Sequence, residues 1–157
     1  MKSNNVIKKK SNEENDYNFK RLKLKFLEKN DLKIFSSLCQ DGIFSINEMI
    51  FDHNEKSFIA TFSRFCWEFV DKGIKENKYF RVVSGIRVYN VKNIKYENLK
   101  NIDSSKFINL LSVDINKNNL ILNFSSDITI KLLIGKIKIF LDDLDMPWPT
   151  GKKPFHK

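Results

Sequence analysis

The sequence has little cysteine, histidine and glycine, and each shortage excludes a class of protein. Two cysteines among 157 residues are too few for the disulfide framework of a small secreted domain. The five glycines stand singly, so the chain has no glycine-rich loop that cradles phosphate. With two histidines, it has few of the residues that most often act as general bases near neutral pH. Enzyme activity stays an open question, but the residues favour a protein that is not an enzyme, with no catalytic residues and no cofactor.

Long apolar runs are also missing. The most apolar stretch, residues 132–141, is interrupted by Lys136 and Lys138, whereas a membrane-spanning helix needs about 20 predominantly apolar residues. Residues 1–10 carry lysines without the apolar segment of a secretory signal. We therefore expect a cytoplasmic protein without a membrane partner, a location in which two reduced thiols are usual.

Arginine is scarce although the net charge is +9, because only four of the 28 basic residues are arginine. Specific recognition of phosphates and bases favours the planar fork of arginine, and the lysines are scattered along the chain. Nucleic acid is therefore a disfavoured partner, although lysine-mediated association stays an alternative. A basic face would form if the strand with Lys23 and Lys25 lay beside the segment with Lys131, Lys136 and Lys138. Otherwise these lysines only protect strand edges from aggregation.

Alternation of apolar and polar residues predicts a mainly β fold. Residues 1–18 are polar and predict a flexible tail, and residues 19–157 predict a single domain. Inward positions of the predicted strands are Leu22, Leu24, Phe26; Phe44, Ile46, Ile50; Phe58, Ala60, Phe62; Phe80, Val82, Ile86, Val88; Leu111, Val113, Ile115; Leu120, Leu122, Phe124; and Ile128, Ile130, Leu132, Ile134. Residues 135–144 fit either a strand or a short helix, and Gly85 marks a bulge or a close approach.

One helix is predicted over residues 31–40. Asn30 and Asp31 provide N-cap oxygens, and Gly42 provides the left-handed residue after the end. Its apolar face carries Ile34, Phe35, Leu38 and Cys39. We therefore predict an α+β fold, mainly antiparallel β with about seven strands and one helix after the first strand. A partly closed barrel or a two-sheet sandwich of pleckstrin-homology-like size fits this pattern.

The carboxyl-terminal segment contains the candidate binding residues. All three prolines, at positions 147, 149 and 154, lie here and predict an extended segment around Trp148. Asp142, Asp143 and Asp145 with His156 offer oxygen and nitrogen ligands, but they lack the spacing of a calcium loop, so surface carboxylates are favoured and no metal is predicted. Candidate partner-binding residues are Trp148, Pro147, Asp143, His156 and Trp67.

Three functional hypotheses remain. The favoured one is a non-catalytic binding or adaptor module whose partner is a protein. The alternatives are a small-ligand binder or enzyme that uses the aspartate cluster and His156, and lysine-mediated association with nucleic acid. The sequence leaves the oligomeric state open.

Three stretches together resemble an uncharacterised alphaproteobacterial family, domain of unknown function family 2948. They are Leu22-Lys23-Leu24 with Leu38-Cys39-Gln40-Asp41; Arg64-Phe65-Cys66-Trp67-Glu68; and Ile108-Asn109-Leu110-Leu111 with Asp143-Leu144, Pro147-Trp148 and Pro154-Phe155-His156. The resemblance covers about residue 21 to the end. It implies a small bacterial cytoplasmic protein, and it implies no catalytic residues.

Overall fold

The computed structural model describes residues 19–70, 79–100 and 102–155. These residues contain ten strands: β1 Lys23–Phe26, β2 Ile43–Asp52, β3 Ser57–Phe65, β4 Tyr79–Val88, β5 Val91–Glu97, β6 Phe107–Asn116, β7 Asn119–Phe124, β8 Thr129–Ile134, β9 Ile139–Asp143 and β10 Trp148–Thr150. The α-helix α1, Leu32–Cys39, follows β1. The mainly antiparallel β fold with one helix after the first strand is confirmed, but with ten strands rather than about seven. The predicted tail, residues 1–18, lies outside the described residues.

The strands form one antiparallel sheet in the order β1-β9-β4-β3-β2-β6-β7-β8-β5. Strand β10 pairs with the beginning of β4, whereas β9 pairs with its end. The sheet is not closed, because β1 and β5 are its two ends. Even so, Phe26 on β1 and Val91 on β5 belong to the same buried hydrophobic cluster. The two halves of the sheet therefore pack around a common core.

The helix presents a narrow apolar stripe to that core. Leu32, Phe35 and Cys39 are buried, and the ring of Phe35 meets the ring of Phe26 edge to face at 5.2 Å between centroids. Ile34 is 57% exposed, so its predicted inward position was wrong. Residues three and seven positions apart share a helix face, whereas Ile34 lies about 100° from Phe35 around the axis.

The predicted caps of this helix were also wrong. A 3₁₀ turn over Lys29–Asp31 precedes the helix, and Asp31 makes no side-chain capping hydrogen bond. The left-handed residue after the helix is Asp41, with φ of 62°, and no described glycine has a positive φ. Gly42 serves close packing instead, because a Cβ there would lie 2.7 Å from the ring of Phe62.

Two irregularities change which side chains face the core. Between Phe44 and Met49, four residues of β2 lie opposite Thr61 alone, because Phe44 pairs with Phe62 and Met49 pairs with Ala60. Met49 and Phe51 therefore pack on the core, and Ile50 is 59% exposed. This bulge made the prediction for Ile50 wrong.

Strand β6 has the second irregularity, between Leu110 and Ser112. It leaves Leu111 46% exposed while Leu110 is fully buried, so the inward prediction for Leu111 was also wrong.

Residues 139–143 form a strand, which decides between the strand and the short helix that were considered for this segment. The pairing of β4 is continuous at Gly85, which marks a close approach to Leu144 rather than a bulge.

Candidate functional site

The largest fully buried side chain of the described residues is the charged one of Arg64. In β3 the side chains of Phe58, Ala60 and Phe62 point inward. Arg64 is two residues further along the strand and therefore points the same way. Its side chain is 0% exposed, so burial without partners would cost several kcal/mol.

Protein groups accept hydrogen bonds from all five N–H donors of Arg64. Nε and Nη2 donate to Asp143 at 3.1 and 3.0 Å. Nη1 and Nη2 donate to the two carboxylate oxygens of Glu68 at 2.8 and 2.9 Å, and Nη1 also donates to the Phe65 carbonyl at 3.4 Å. Burial acts to lower the pKa of Arg64, but the hydrogen bonds and charges of Glu68 and Asp143 outweigh it and raise the pKa. The guanidinium is therefore a fully paired cation.

Asp143 is equally saturated. Besides the two bonds from Arg64, its Oδ1 accepts a hydrogen bond from Ser84 Oγ at 2.6 Å and its Oδ2 accepts one from the Leu22 N–H at 2.9 Å. Its side chain is 0% exposed, so the prediction of a surface carboxylate was wrong for this residue. Because the cluster joins β3, β4, β9 and the start of β1, its geometry is that of a structural clamp.

The other members of the predicted acidic cluster have different surroundings. Asp142 precedes Asp143 in β9, so its side chain lies on the opposite face of the sheet. Asp145 is exposed and accepts a hydrogen bond from the Met146 N–H. His156 lies outside the described residues. Within residues 19–70, 79–100 and 102–155, no group of three or more ligand side chains could hold a metal ion.

Both cysteines are buried free thiols. Burial raises the pKa of Cys66 to about 12 and also raises the pKa of Cys39. Because the thiolate is the reactive form, these thiols are inert at neutral pH.

The candidate docking site is an open groove of about 570 Å³, which we call the tryptophan groove. Its floor crosses the outer side of the sheet, where Ile43 pairs with both Ser63 and Asn109. Its wall is the carboxyl-terminal segment, from Trp148 on β10 to Phe155. The lining residues are Asp41, Ile43, Ser63, Arg81, Asn109, Trp148, Thr150, Lys152, Lys153, Pro154 and Phe155.

Arg81 provides a fixed cation in this groove. It lies directly opposite Trp148 in the strand pair, and its guanidinium donates to the carbonyl oxygens of Ser63 at 3.0 Å and of Asp41 at 3.2 and 3.3 Å. Its guanidinium also lies 5.5 Å from the centre of the Phe65 ring. Burial lowers the pKa of Arg81 below its ordinary value, but an arginine stays protonated at neutral pH. The nearby Ser63 hydroxyl is buried without a hydrogen-bond partner among the described residues.

The remaining predicted partner-binding residues have these positions. Trp148 is 39% exposed in the groove, and Pro147 is half-buried beside it. Trp67 is half-buried, donates its indole N–H to the Gln40 carbonyl at 2.8 Å and packs on Phe65. Of the four that lie within the described residues, only Trp148 lines the tryptophan groove. Their role in binding a partner stays a prediction.

The basic face expected from the lysines forms in part. Strands β1 and β9 are neighbours, so Lys25 lies opposite Phe140, and Lys138 immediately precedes β9. Lys131 is not part of this face, because it lies on β8 and pairs with Glu97 at 2.9 Å.

Sequence reasoning missed the arginines that organise these sites. Arg64 continues the inward register of three apolar residues in β3, and a charge at such a position indicates a buried ion pair. Asp143 likewise continues the inward register of Ile139 and Leu141. No comparable signal in the sequence places Arg81 beside Phe65, because that contact depends on the pairing of β3 with β4.

Within the described residues, no helix has the length and apolar character needed to cross a membrane. No curated protein and no solved structure matches the chain, so the pleckstrin-homology-like arrangement stays an expectation. A family model described as "Protein of unknown function (DUF2948)" matches residues 22–156. The chain therefore belongs to the DUF2948 family.

Proposed function

We propose that the protein is a non-catalytic binding module whose partner is another protein, and that the partner docks in the tryptophan groove. The observation that carries this proposal is the combination of exposed aromatic and cationic side chains along one groove. Trp148 and Phe155 are 39% and 84% exposed there, beside Arg81, Lys152 and Lys153.

The apolar part of the surface favours a protein partner. Leu144 and Met146, which lie four and two residues before the start of β10, are 50% and 57% exposed. Exposed apolar residues that cluster in one segment mark interaction sites more often than residues that are scattered singly. Tryptophan and arginine are also the residues that most often dominate the binding energy of protein interfaces.

The charges favour an acidic segment of that partner. Arg81, Lys152 and Lys153 line the groove, and Asp41 is the one acidic residue among its described lining residues. The charge of Asp41 acts on Arg81, and the described lining still holds three cationic side chains for one carboxylate. An acidic segment with apolar side chains would therefore complement the groove in both charge and hydrophobicity.

The saturated cluster around Arg64 supports the non-catalytic part of the proposal. The Arg64 guanidinium donates hydrogen bonds to the Asp143 carboxylate, and this carboxylate also accepts hydrogen bonds from Ser84 and from the backbone of Leu22. The proposal also places the module in the cytoplasm, where unpaired thiols such as those of Cys39 and Cys66 stay reduced.

Site-specific photo-crosslinking in the host cell tests the proposal. A photoreactive phenylalanine replaces Trp148 in one strain and Tyr96 in another. Tyr96 is a matched control because it is an aromatic residue with 47% exposure on β5, outside the groove. We expect the probe at position 148, and not the probe at position 96, to capture one protein through an acidic segment.

The charge requirement is tested in the same strains. Lys152→Glu with Lys153→Glu should abolish the capture at position 148, because the partner segment would then meet carboxylates. Equal capture from both positions would show that the partner does not dock in the tryptophan groove. Capture through a basic segment that survives the double charge reversal would show the same.

A further inference from the structure

A second surface, distinct from the tryptophan groove, combines aromatic rings and cations on the outer side of β1, β9 and β4. We call it the aromatic–basic face and define it by Lys25, Arg87, Tyr89, Lys138 and Phe140. Lys25 lies opposite Phe140, and Phe140 lies opposite Arg87, so these three side chains form a row across three strands. Neighbouring strands are about 4.8 Å apart, so the row is roughly 10 Å long.

The cations of this face rest on the rings. The ammonium of Lys138 lies 4.5 Å from the centre of the Tyr89 ring, and the guanidinium of Arg87 lies 4.8 Å from the same ring. Lys25 and Lys138 lie 5.7 and 5.6 Å from the centre of the Phe140 ring. The two rings meet edge to face at 5.1 Å between centroids.

These cations have few competing partners in the protein. No ion pair joins Lys25, Arg87 or Lys138 to a described carboxylate. The buried Nε of Arg87 has no hydrogen-bond partner among the described residues, whereas Arg64 uses every donor. Cation–π contacts at exposed sites are weak, so a stronger anionic acceptor can draw these cations away from the rings.

A basic pocket of about 260 Å³ continues the face at its edge. Its described lining residues are Lys56, Asn90, Lys92, Gly135 and Lys136, and none of them is a carboxylate. Backbone hydrogen bonds hold the segments together: the Val91 N–H donates to the Lys56 carbonyl at 2.8 Å, and the Gly135 N–H donates to the Asn90 carbonyl at 3.0 Å. The pocket adjoins the face because Asn90 follows Tyr89 and the Tyr89 N–H donates to the Lys138 carbonyl at 2.9 Å.

We propose that the aromatic–basic face and the basic pocket together bind single-stranded nucleic acid. The lysines of the basic pocket converge without a carboxylate among its described lining residues, and such a group of cations forms a site for the phosphate backbone. Tyr89 and Phe140 supply ring surfaces for bases, and aromatic stacking beside a positively charged track is how single strands are bound without sequence preference. A membrane surface fits less well, because both rings are half-buried between cations and do not project as apolar anchors.

Fluorescence anisotropy with labelled oligo(dT) and oligo(U) tests the proposal on the full chain. If about four phosphates are contacted, the affinity should fall roughly 50-fold between about 50 and 200 mM salt, because each contact adds about 0.7 to the salt slope for a single strand. Lys92→Gln with Lys136→Gln should lower the slope by about 1.4, which reduces the salt effect to roughly 7-fold.

The matched control is Lys29→Gln with Lys33→Gln, which removes the same charge from exposed lysines beside a different depression that also contains Asp114. This control should leave the slope unchanged. Tyr89→Leu should weaken binding at least about fivefold without changing the slope, because stacking is worth about 1–3 kcal/mol per base and does not release counterions.

Three results would each overturn the proposal. The first is no binding to either oligonucleotide at low salt. The second is an equal loss of binding in the control pair, which would mean that the net charge alone attracts the probe. The third is equal competition by polyglutamate or by anionic vesicles at the same charge concentration, which would show that the surface has no preference for nucleic acid.

Discussion

The buried clamp around Arg64 predicts that neutralising either of two adjacent carboxylates changes the free energy of unfolding by very different amounts. Asp143→Asn removes the charge that neutralises a fully buried guanidinium. Asp142→Asn makes the same chemical change one residue earlier, on the opposite face of β9. Because these two variants differ only in the position of the substitution, any difference between their free energies of unfolding comes from the surroundings of the two side chains.

The size of the effect follows from the hydrogen bonds. Each carboxylate oxygen of Asp143 accepts two hydrogen bonds. In asparagine an NH₂ group replaces one of the two oxygens, so the two groups that donated to that oxygen lose their acceptor. Removing one partner of a buried ion pair costs about 3–5 kcal/mol. A drop of that size corresponds to roughly 6–20 °C in the melting temperature of a chain of this length.

Thermal and urea unfolding, followed by far-ultraviolet circular dichroism, measures both variants against the parent protein. We expect Asp142→Asn to stay within about 0.5 kcal/mol of the parent, as surface substitutions usually do. Equal destabilisation by the two variants, or less than about 1 kcal/mol from Asp143→Asn, would refute the view that this cluster holds the sheet together.

Four further predictions concern packing, the thiols and the groove. Gly42→Ala should lower stability by about 1–3 kcal/mol because its Cβ would lie 2.7 Å from the Phe62 ring, whereas Gly151→Ala, with no atom within 4 Å, should be neutral in the same unfolding assay. Phe35→Ala should cost about 3–5 kcal/mol and Ile34→Ala less than about 1 kcal/mol; similar values would mean that the helix is rotated. The raised pKa of Cys66 predicts that stability from its neutral thiol is complete below the ordinary pKa of 9.0 and is lost as the pH rises toward about 12. Cys66→Ala should therefore reduce this alkaline loss, and a thiol reagent at neutral pH should label Cys66 only after unfolding. Trp148→Ala should leave the melting temperature unchanged while weakening the recovery of the partner in a pull-down with the tagged protein, and unfolding of this variant would instead make Trp148 a structural residue.

The sequence predicted those parts of the fold that depend on local periodicity. Alternate apolar residues identified β1, the hairpin of β2 and β3, and the strands β6 to β8, because one face of each is buried. Two positions failed because the partner strand has fewer residues there: Ile50 follows four residues of β2 that lie opposite Thr61 alone, and Leu111 is itself an extra residue of β6 without an opposite position. Such bulges shift the inward register, and neither segment contains a glycine or proline that would indicate one.

The candidate sites were less predictable because they form between strands that are distant in the sequence. Arg64 and Asp143 are 79 residues apart, and only the order β9-β4-β3 brings them together. The alternation of residues along each strand indicates that both side chains point inward, but it does not indicate that they pair with each other. Likewise, Trp148 among the prolines indicated a docking segment, whereas its position opposite Arg81 depends on the pairing of β10 with β4.

Nuclear magnetic resonance of the two indole N–H groups tests most directly whether an acidic protein segment docks in the tryptophan groove. Trp67 donates its N–H to the Gln40 carbonyl, whereas Trp148 lines the groove, so one signal is an internal control for the other. A short peptide that alternates glutamate and leucine should shift the Trp148 signal in a saturable manner and leave the Trp67 signal in place. If the Trp148 signal does not move, or if a peptide with lysine in place of glutamate moves it equally, the tryptophan groove is not a docking site for acidic protein segments.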